Sequence, residues 1–208
     1  MVLIRSSIDC VGVDEVARGT LFGDVVSAAV IMPDNFNDDI YLQIKDSKKL
    51  SFKKRRELAD YIKKTAIAYG IGCISAEEID KINILQASIK AMHIALYDVY
   101  KKHKFNHIIV DGNHFIPLIS SDENQVISYE CIAKADTTYL NVAAASIIAK
   151  DYHDMELLKL IDEVKELEKY DLRNNKGYAT VKHQEAIEKF GLHQLHRKTF
   201  ATCKKKFL

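Results

Sequence analysis

The sequence predicts an α/β domain, a mixed sheet flanked by helices with a C-terminal helical extension. Three observations carry this. Short β-branched apolar runs alternate with stretches of helical periodicity as far as Ile132, and beyond that the pattern is helical almost to the end. No repeat, low-complexity linker or compositional break divides the 208 residues, which therefore read as a single domain over 1–208, with residues from about 139 to 208 as its mainly helical extension. A content of 48% hydrophobic and 28% charged residues supplies one sizeable core and little more.

The elements follow in order. Ile8 to Val16 and Val25 to Met32 are apolar runs separated by Arg18-Gly19-Thr20-Leu21-Phe22-Gly23, the pattern of two strands joined by a glycine-bearing turn. Ser51 to Ala66 has helical periodicity, and Ile67 to Ile74 is a third strand. Ser75-Ala76-Glu77-Glu78 is a capping box that starts a short helix. Asn83 with Gln86 resembles that signature and opens an amphipathic helix to about His103, with Ile84, Leu85, Ile89, Met92, Leu96 and Val99 on or near one face. His107 to Val110 is a fourth strand ending at Asp111-Gly112-Asn113, and Val126 to Ile132 is a fifth. Tyr139 to Leu160 reads as a helix whose small stretch Ala143-Ala144-Ala145-Ser146 permits close packing, and Thr180 to Phe190 as another, stopped by Gly191.

Composition excludes several classes. No run approaches the roughly 18 to 20 apolar residues of a membrane span, and Met1-Val2-Leu3-Ile4-Arg5 lacks a cleavable signal pattern, so the expectation is a soluble cytoplasmic monomer without a membrane partner. Cys10, Cys73, Cys131 and Cys203 show no CxxC spacing and read as buried free thiols. Neither a Walker loop nor GxGxxG is present, so nucleotide cofactors are not indicated. The net charge is only +1, yet basic residues crowd two segments: Lys45, Lys48, Lys49, Lys53, Lys54, Arg55 and Arg56, then Arg197, Lys198, Lys204, Lys205 and Lys206. Two such rims suit a polyanion lying across them, although a solvated helix face and a frayed tail would look the same.

Acids stand at strand ends, where α/β folds assemble hard-metal sites: Asp14-Glu15 near the first turn, Asp111 after the fourth strand, Asp136 after the fifth. Carboxylates converging there would repel one another, and Mg²⁺ or Mn²⁺ would relieve the repulsion while binding phosphate oxygens. A pair of such ions about 3.5 to 4 Å apart activates a water and stabilises the leaving oxygen of an in-line phosphoryl displacement. Against this, a lone Asp after a strand is usually a turn former, and Asp111-Gly112 is a common turn dipeptide. Successive strand residues point to opposite faces, so Asp14 and Glu15 serve one cluster only if the strand twists or ends there. Asp14 is then the better bridge between ions, and Glu15 serves one ion from the side of the turn. His193 and His196 lack a cysteine or acid to complete a zinc site, and His196-Arg197 fits the basic rim. Ser146 and Lys150 have the wrong spacing for a Ser-x-x-Lys nucleophile and read as one helix face.

The wording around these acids resembles the ribonuclease HII family along nearly the whole chain. Gly12-Val13-Asp14-Glu15-Val16-Ala17-Arg18-Gly19 is similar to the family's opening strand and Gly-Arg-Gly turn, and Asp46-Ser47-Lys48-Lys49-Leu50-Ser51 to its Asp-Ser-Lys-Lys-Leu segment. The family's order continues through Ile82-Asn83-Ile84-Leu85-Gln86-Ala87, Val110-Asp111-Gly112-Asn113 and Ala143-Ala144-Ala145-Ser146-Ile147-Ile148-Ala149-Lys150. It ends with Lys176-Gly177-Tyr178-Ala179-Thr180 and His196-Arg197-Lys198-Thr199-Phe200.

The resemblance implies a ribonuclease H-like fold in which Asp14, Glu15, Asp111 and Asp136 bind the metals. The substrates implied are RNA/DNA hybrids and ribonucleotides embedded in duplex DNA, cut to leave 3′-hydroxyl and 5′-phosphate ends. Water is the nucleophile, and the 2′-hydroxyl is recognised, not consumed. The ribose is read by backbone groups at Ala17-Arg18-Gly19 and by Tyr178 stacking on the neighbouring sugar, with Lys48, Ser146, Lys150 and Arg197 as further substrate contacts. Ala17 and Ala135 stand where the family has glycines. A positive φ at 17 would strain that turn, and a displaced backbone at 135 would move Asp136. Two alternatives remain: a hybrid-binding protein of the same fold with weakened turnover, and a type 3 ribonuclease H, whose extra N-terminal domain has no room before position 14. Lys204-Lys205-Lys206-Phe207-Leu208 shows no evident sliding-clamp motif.

Overall fold

The computed structural model describes residues 3–204 apart from 46 and 123. Asp46 and the end of the basic tail, residues 205–208, lie outside the described residues. A five-stranded sheet has the order β3-β2-β1-β4-β5, built from β1 (Cys10–Val16), β2 (Val25–Ile31), β3 (Ala68–Ile74), β4 (His107–Asp111) and β5 (Ser128–Ile132). Antiparallel pairing of β1 with β2 and of β2 with β3, and parallel pairing of β1 with β4 and of β4 with β5, leaves β2 as the strand running against the rest. The hairpin and mixed sheet expected from the apolar runs are both present.

Helices close both faces. α1 (Phe52–Thr65) and α2 (Ala76–Ile82) start where Ser51 and Ser75 cap them, each side chain accepting from the backbone N–H three residues on. α3 (Ile84–Lys102) is capped by Asn83, which accepts from Leu85 and Gln86. It lays Met92, Ala95, Leu96 and Val99 against Val11, Val13, Ala29, Ile31, Ile108 and Val110. Gly70 and Gly72 admit it, since a Cβ there would lie 2.3 and 2.0 Å from the Ala95 and Ala91 carbonyl oxygens. The opposite face receives α4 (Leu140–Glu163) and, packed upon it, α1, around Val26, Ala28, Val30, Leu58, Ile62 and Ile147. The first ten residues of α4, Leu140 to Ala149, are all buried, and apart from Asn141 and Ser146, which are hydrogen-bonded, the stretch is apolar because protein surrounds it. It meets β1 at Gly12, where a Cβ would stand 2.4 Å from the Val142 nitrogen. Asn141 ties the contact, donating to the Cys10 carbonyl at 2.7 Å and accepting from the Met32 N–H at 3.1 Å. The helical run that opens near residue 139 thus forms a layer of the main body before it becomes an appendage.

After α4 come a 3-10 stretch (Lys165–Tyr170), α5 (Leu172–Asn175), α6 (Val181–Phe190) and α7 (Ala201–Lys204). Together with Leu157 and Ile161 at the end of α4, they wrap Leu21 and Phe22 of the β1–β2 turn with Leu167, Tyr170, Ile187 and Cys203. β5 is shorter than its apolar run predicted. Val126 is 64% exposed and bridges Ile119, and the Ile127 N–H donates to Leu118, so this stretch turns back on the preceding loop before β5 begins. The four cysteines are free, Cys10 and Cys203 buried, Cys73 and Cys131 half-buried. Among the described residues no helix is long and apolar enough to cross a membrane.

Candidate active site

The parallel register of β1 and β4 runs from Cys10↔His107 to Val13↔Val110 and stops there. Asp14 and Asp111 are the next residue on each strand, so the two carboxylates sit side by side where the strands part, the crevice in which open α/β sheets place their chemistry. Asp14 is 6% exposed and lies on the α4 face, where the Ser146 hydroxyl bonds to it. Burial, reinforced by the charges of Glu15 and Asp111, pushes its carboxyl well above the usual carboxylate range. Glu15 is pushed up as well, chiefly by burial and also by Asp111, against the pull of the Arg18 guanidinium at 3.3 Å. Alternation turns Glu15 to the other face of β1, yet at the strand end it still senses Asp111, as sharing one site requires.

Asp136 arrives by a different route. Lys134 takes up a left-handed conformation, φ 60°, and starts a 3-10 turn over Ala135–Thr137 that buries Asp136 to 5% exposure. The Ala135 N–H donates to Asp111 Oδ1 at 2.7 Å, which fastens this turn to the end of β4. The positive φ falls on Lys134, one residue before the position where a methyl replaces hydrogen, so Ala135 is accommodated, fully buried beside Cys10, Ile109 and Val142. Among the described residues no three His, Cys, Asp or Glu side chains form a preformed metal cluster. What the geometry brings together is Asp14, Glu15 and Asp111 at the ends of the neighbouring strands β1 and β4, where the charges of Glu15 and Asp111 bear on Asp14, with Asp136 on the turn fastened to Asp111; such oxygen donors fit a hard divalent cation.

The turn after β1 is tightly held. Ala17 has φ 64°, in the left-handed region, and is 1% exposed. Its carbonyl accepts from the Thr20 hydroxyl at 3.0 Å. Arg18 and Gly19 are exposed at the tip. Arg197, expected on a basic rim and in contact with substrate, is instead fully buried. Its Nε donates to Gly23 O at 2.9 Å, its Nη1 to Arg18 O at 3.1 Å, and its backbone N–H to Leu21 O at 2.8 Å. It supports the turn from beneath, and burial holds its guanidinium down to about 10. His196 is likewise buried, so this pair does not form a surface rim. Leu21 N–H donates to Gly177 O at 2.7 Å, which joins the turn to the segment carrying Tyr178.

Tyr178 is 41% exposed, with Lys150 Nζ 5.9 Å from its ring centroid. Lys150 is steered by a salt bridge at 2.8 Å to Asp154, a buried carboxylate that also takes Arg55 Nη2 at 2.7 Å and His153 Nδ1 at 3.0 Å. Arg55, counted in the first basic cluster, is therefore spent inside the protein, whereas Lys45, Lys48, Lys49 and Lys53 remain exposed. Ser146 is buried and meets Ser47 Oγ at 2.8 Å. With Asp14 ionised, Ser146 donates to it and Ser47 donates to Ser146, so the residue before Lys48 is anchored to the site. Ser47, Asp154 and His183 were not singled out by the sequence, because each acts through a partner 13 to 99 residues away; a serine directly before exposed lysines carries no local signal.

The chain matches one family of known proteins along nearly its whole length. Residues 11–203 match the family model described as Ribonuclease HII. The ribonuclease HII of Christiangramia forsetii is 45% identical over 196 residues, 94% of this chain and 92% of that protein. Among solved structures, ribonuclease H2 from Pyrococcus horikoshii OT3 superposes with a TM-score of 0.74 at 27% identity, covering 94% of this chain and 95% of that one. Bst-RNase HIII in complex with Mn²⁺ shares the fold with a TM-score of 0.74 at 23% identity, covering 95% of this chain and 68% of that one. A match from β1 into α7 takes in the strand-end acids, the turn and the tyrosine alike, and the chain belongs to the ribonuclease HII family, metal-dependent endonucleases with ribonuclease H activity on RNA/DNA hybrids.

Proposed function

We propose that the chain hydrolyses the RNA strand of RNA/DNA hybrids and also cuts at single ribonucleotides embedded in duplex DNA, leaving 3′-hydroxyl and 5′-phosphate ends, with Asp14, Glu15, Asp111 and Asp136 as holders of two Mg²⁺ or Mn²⁺ ions. The observation that carries this reading is the buried Asp14 carboxyl, pushed up by burial and by Glu15 and Asp111 at the end of β1. Such a cluster is costly unless cations neutralise it. When bound, the ions supply that neutralisation together with activation of a water and stabilisation of the leaving oxygen.

The chain's own groups do the rest. Ser146 and the Glu15 N–H, the latter donating to Asp14 Oδ1 at 2.7 Å, orient one carboxylate. The Ala135 N–H orients Asp111. Backbone groups of Ala17, Arg18 and Gly19 read the 2′-hydroxyl, which separates RNA from DNA at the scissile position. Tyr178 stacks on the adjoining sugar, while Lys48 and Lys150 face the phosphates. The test is cleavage of a labelled DNA duplex containing one ribonucleotide, with Mg²⁺ or Mn²⁺. The expected outcome is a single nick by the wild type and loss of at least about a thousandfold in rate for Asp14→Asn. Unchanged cleavage by Asp14→Asn, or tight metal-independent binding without product, overturns the proposal.

A further inference from the structure

Beneath Tyr178 lies a chain of hydrogen bonds that none of the proposed chemistry uses. The His193 backbone N–H lies 2.9 Å from His196 Nδ1. The His193 carbonyl stands 3.3 Å from the same nitrogen and would call for a proton there, so the shorter N–H contact is the one that leaves Nδ1 an acceptor and puts the proton of a neutral His196 ring on Nε2. His196 Nε2 lies 3.1 Å from His183 Nε2, which must therefore accept. The His183 proton is left on Nδ1, and it donates to the Tyr178 carbonyl at 2.9 Å. The Tyr178 carbonyl can only accept, so it requires the proton on His183 Nδ1 independently, and the two ends of the chain agree on one tautomer of each ring.

Packing supports the neutral state. His183 is fully buried and His196 is 1% exposed. Phe22 and Tyr170 pack edge-on to His196 with centroids 5.0 and 4.8 Å away. Burial, aided by the neighbouring His183, holds His196 down to about 4, and burial lowers His183 too. A proton added to His183 would set two N–H groups against each other at 3.1 Å and break the pair, and one added to His196 Nδ1 would meet the His193 N–H at 2.9 Å.

We propose that His183 and His196 are positioning residues for Tyr178, a neutral imidazole pair that fixes the backbone of the tyrosine and so the angle at which its ring meets the sugar of a bound duplex. The argument rests on the reading of Tyr178 as a substrate-facing ring. The pair spans α6 and the loop that runs into Arg197, and Arg197 holds the turn at Arg18 and Gly23. The two parts of the ribose reader, turn and tyrosine, therefore share one buried support. The Gly177 carbonyl, accepting from Leu21, closes the same loop from the other side.

The test is a double-mutant cycle on kcat/KM for a duplex with one ribonucleotide, using Tyr178→Ala, His183→Phe, both together, and His183→Asn, whose amide N–H replaces the donor to Tyr178. His183→Phe is expected to lose about tenfold and the double variant to be no worse than Tyr178→Ala within about twofold, because both remove the same placement. His183→Asn is expected to recover most of the loss. Independent losses that multiply, or no recovery by a folded His183→Asn, overturn the role of the pair while leaving Tyr178 in place. An unimpaired Tyr178→Ala overturns the proposal together with the reading of Tyr178. Imidazole ¹⁵N shifts of the wild type need no variant: the Nδ1–H form of His183 and the Nε2–H form of His196 support the relay, and the opposite forms overturn it.

Discussion

Ala17 is where one residue decides between strain and function. Its φ of 64° is the conformation that glycine adopts freely and that costs an L-residue about 1 to 2 kcal/mol. The surrounding bonds hold it there: Thr20 to the Ala17 carbonyl, Arg197 to Arg18 and Gly23, Leu21 to Gly177. Strain persists where the neighbours over-determine the backbone. Ala17→Gly is therefore expected to raise unfolding free energy in urea by about 0.5 to 1 kcal/mol, strain relief less the greater chain entropy of glycine. It should leave the cleavage position unaltered and the rate within about threefold, because the backbone already occupies the conformation glycine would supply. Ala17→Val, β-branched at a positive φ, should lose both stability and ribose selectivity. A destabilised Ala17→Gly would show that the methyl packs for more than the strain costs, and would overturn this account.

At the scale of elements, the decisive contact is α4 against β1. A methyl at Gly12 would meet the Val142 nitrogen at 2.4 Å and the Asn141 carbonyl carbon at 2.5 Å, both backbone atoms that cannot rotate aside. Gly12→Ala must push α4 off the sheet, loosening both Asn141 bonds and shifting Ser146 and Lys150 with the helix. A loss of about 3 kcal/mol in urea unfolding, with cleavage activity falling alongside, is the expected outcome. A change below about 0.5 kcal/mol would mean the helix has room to move. This contact also marks what the sequence could and could not say. Caps and periodicity announced α1, α2, α3 and α6 because Ser51, Ser75, Asn83 and Thr180 act within three residues of themselves. The strand-end acids were visible for the same local reason. Burial of Arg197 and pairing of His183 with His196 were not, since a charged or polar side chain goes inside only when distant carbonyls and rings arrive to satisfy it. The shortened β5 is similar: Val126 is as β-prone as its neighbours, and its partner Ile119 lies on a loop without strand pattern.

For the whole molecule, two buried groups make stability depend on pH in opposite senses. Asp14 is raised above its ordinary 3.8 by burial, Glu15 and Asp111, so in the window from 3.8 up to its folded value the native chain keeps a proton the unfolded chain has released. Stability falls as pH rises through that window. His196 is held at about 4 against an ordinary 6.5, so between those values the unfolded chain binds a proton that the native chain refuses, and stability falls as pH falls. The variants separate the two. In chelator, Asp14→Asn is expected to unfold at a higher temperature than wild type, with an advantage that grows with pH across the Asp14 window and then levels off. His196→Gln should flatten the acid limb between 6.5 and about 4. Adding Mg²⁺ or Mn²⁺ near neutral pH should stabilise wild type, since a cation that binds the native site alone shifts the equilibrium by mass action, and should stabilise Asp14→Asn much less. If Asp14→Asn in chelator is no more stable than wild type near neutral pH, the strand-end carboxylates are not straining against one another, and the electrostatic reason for placing cations between them is gone.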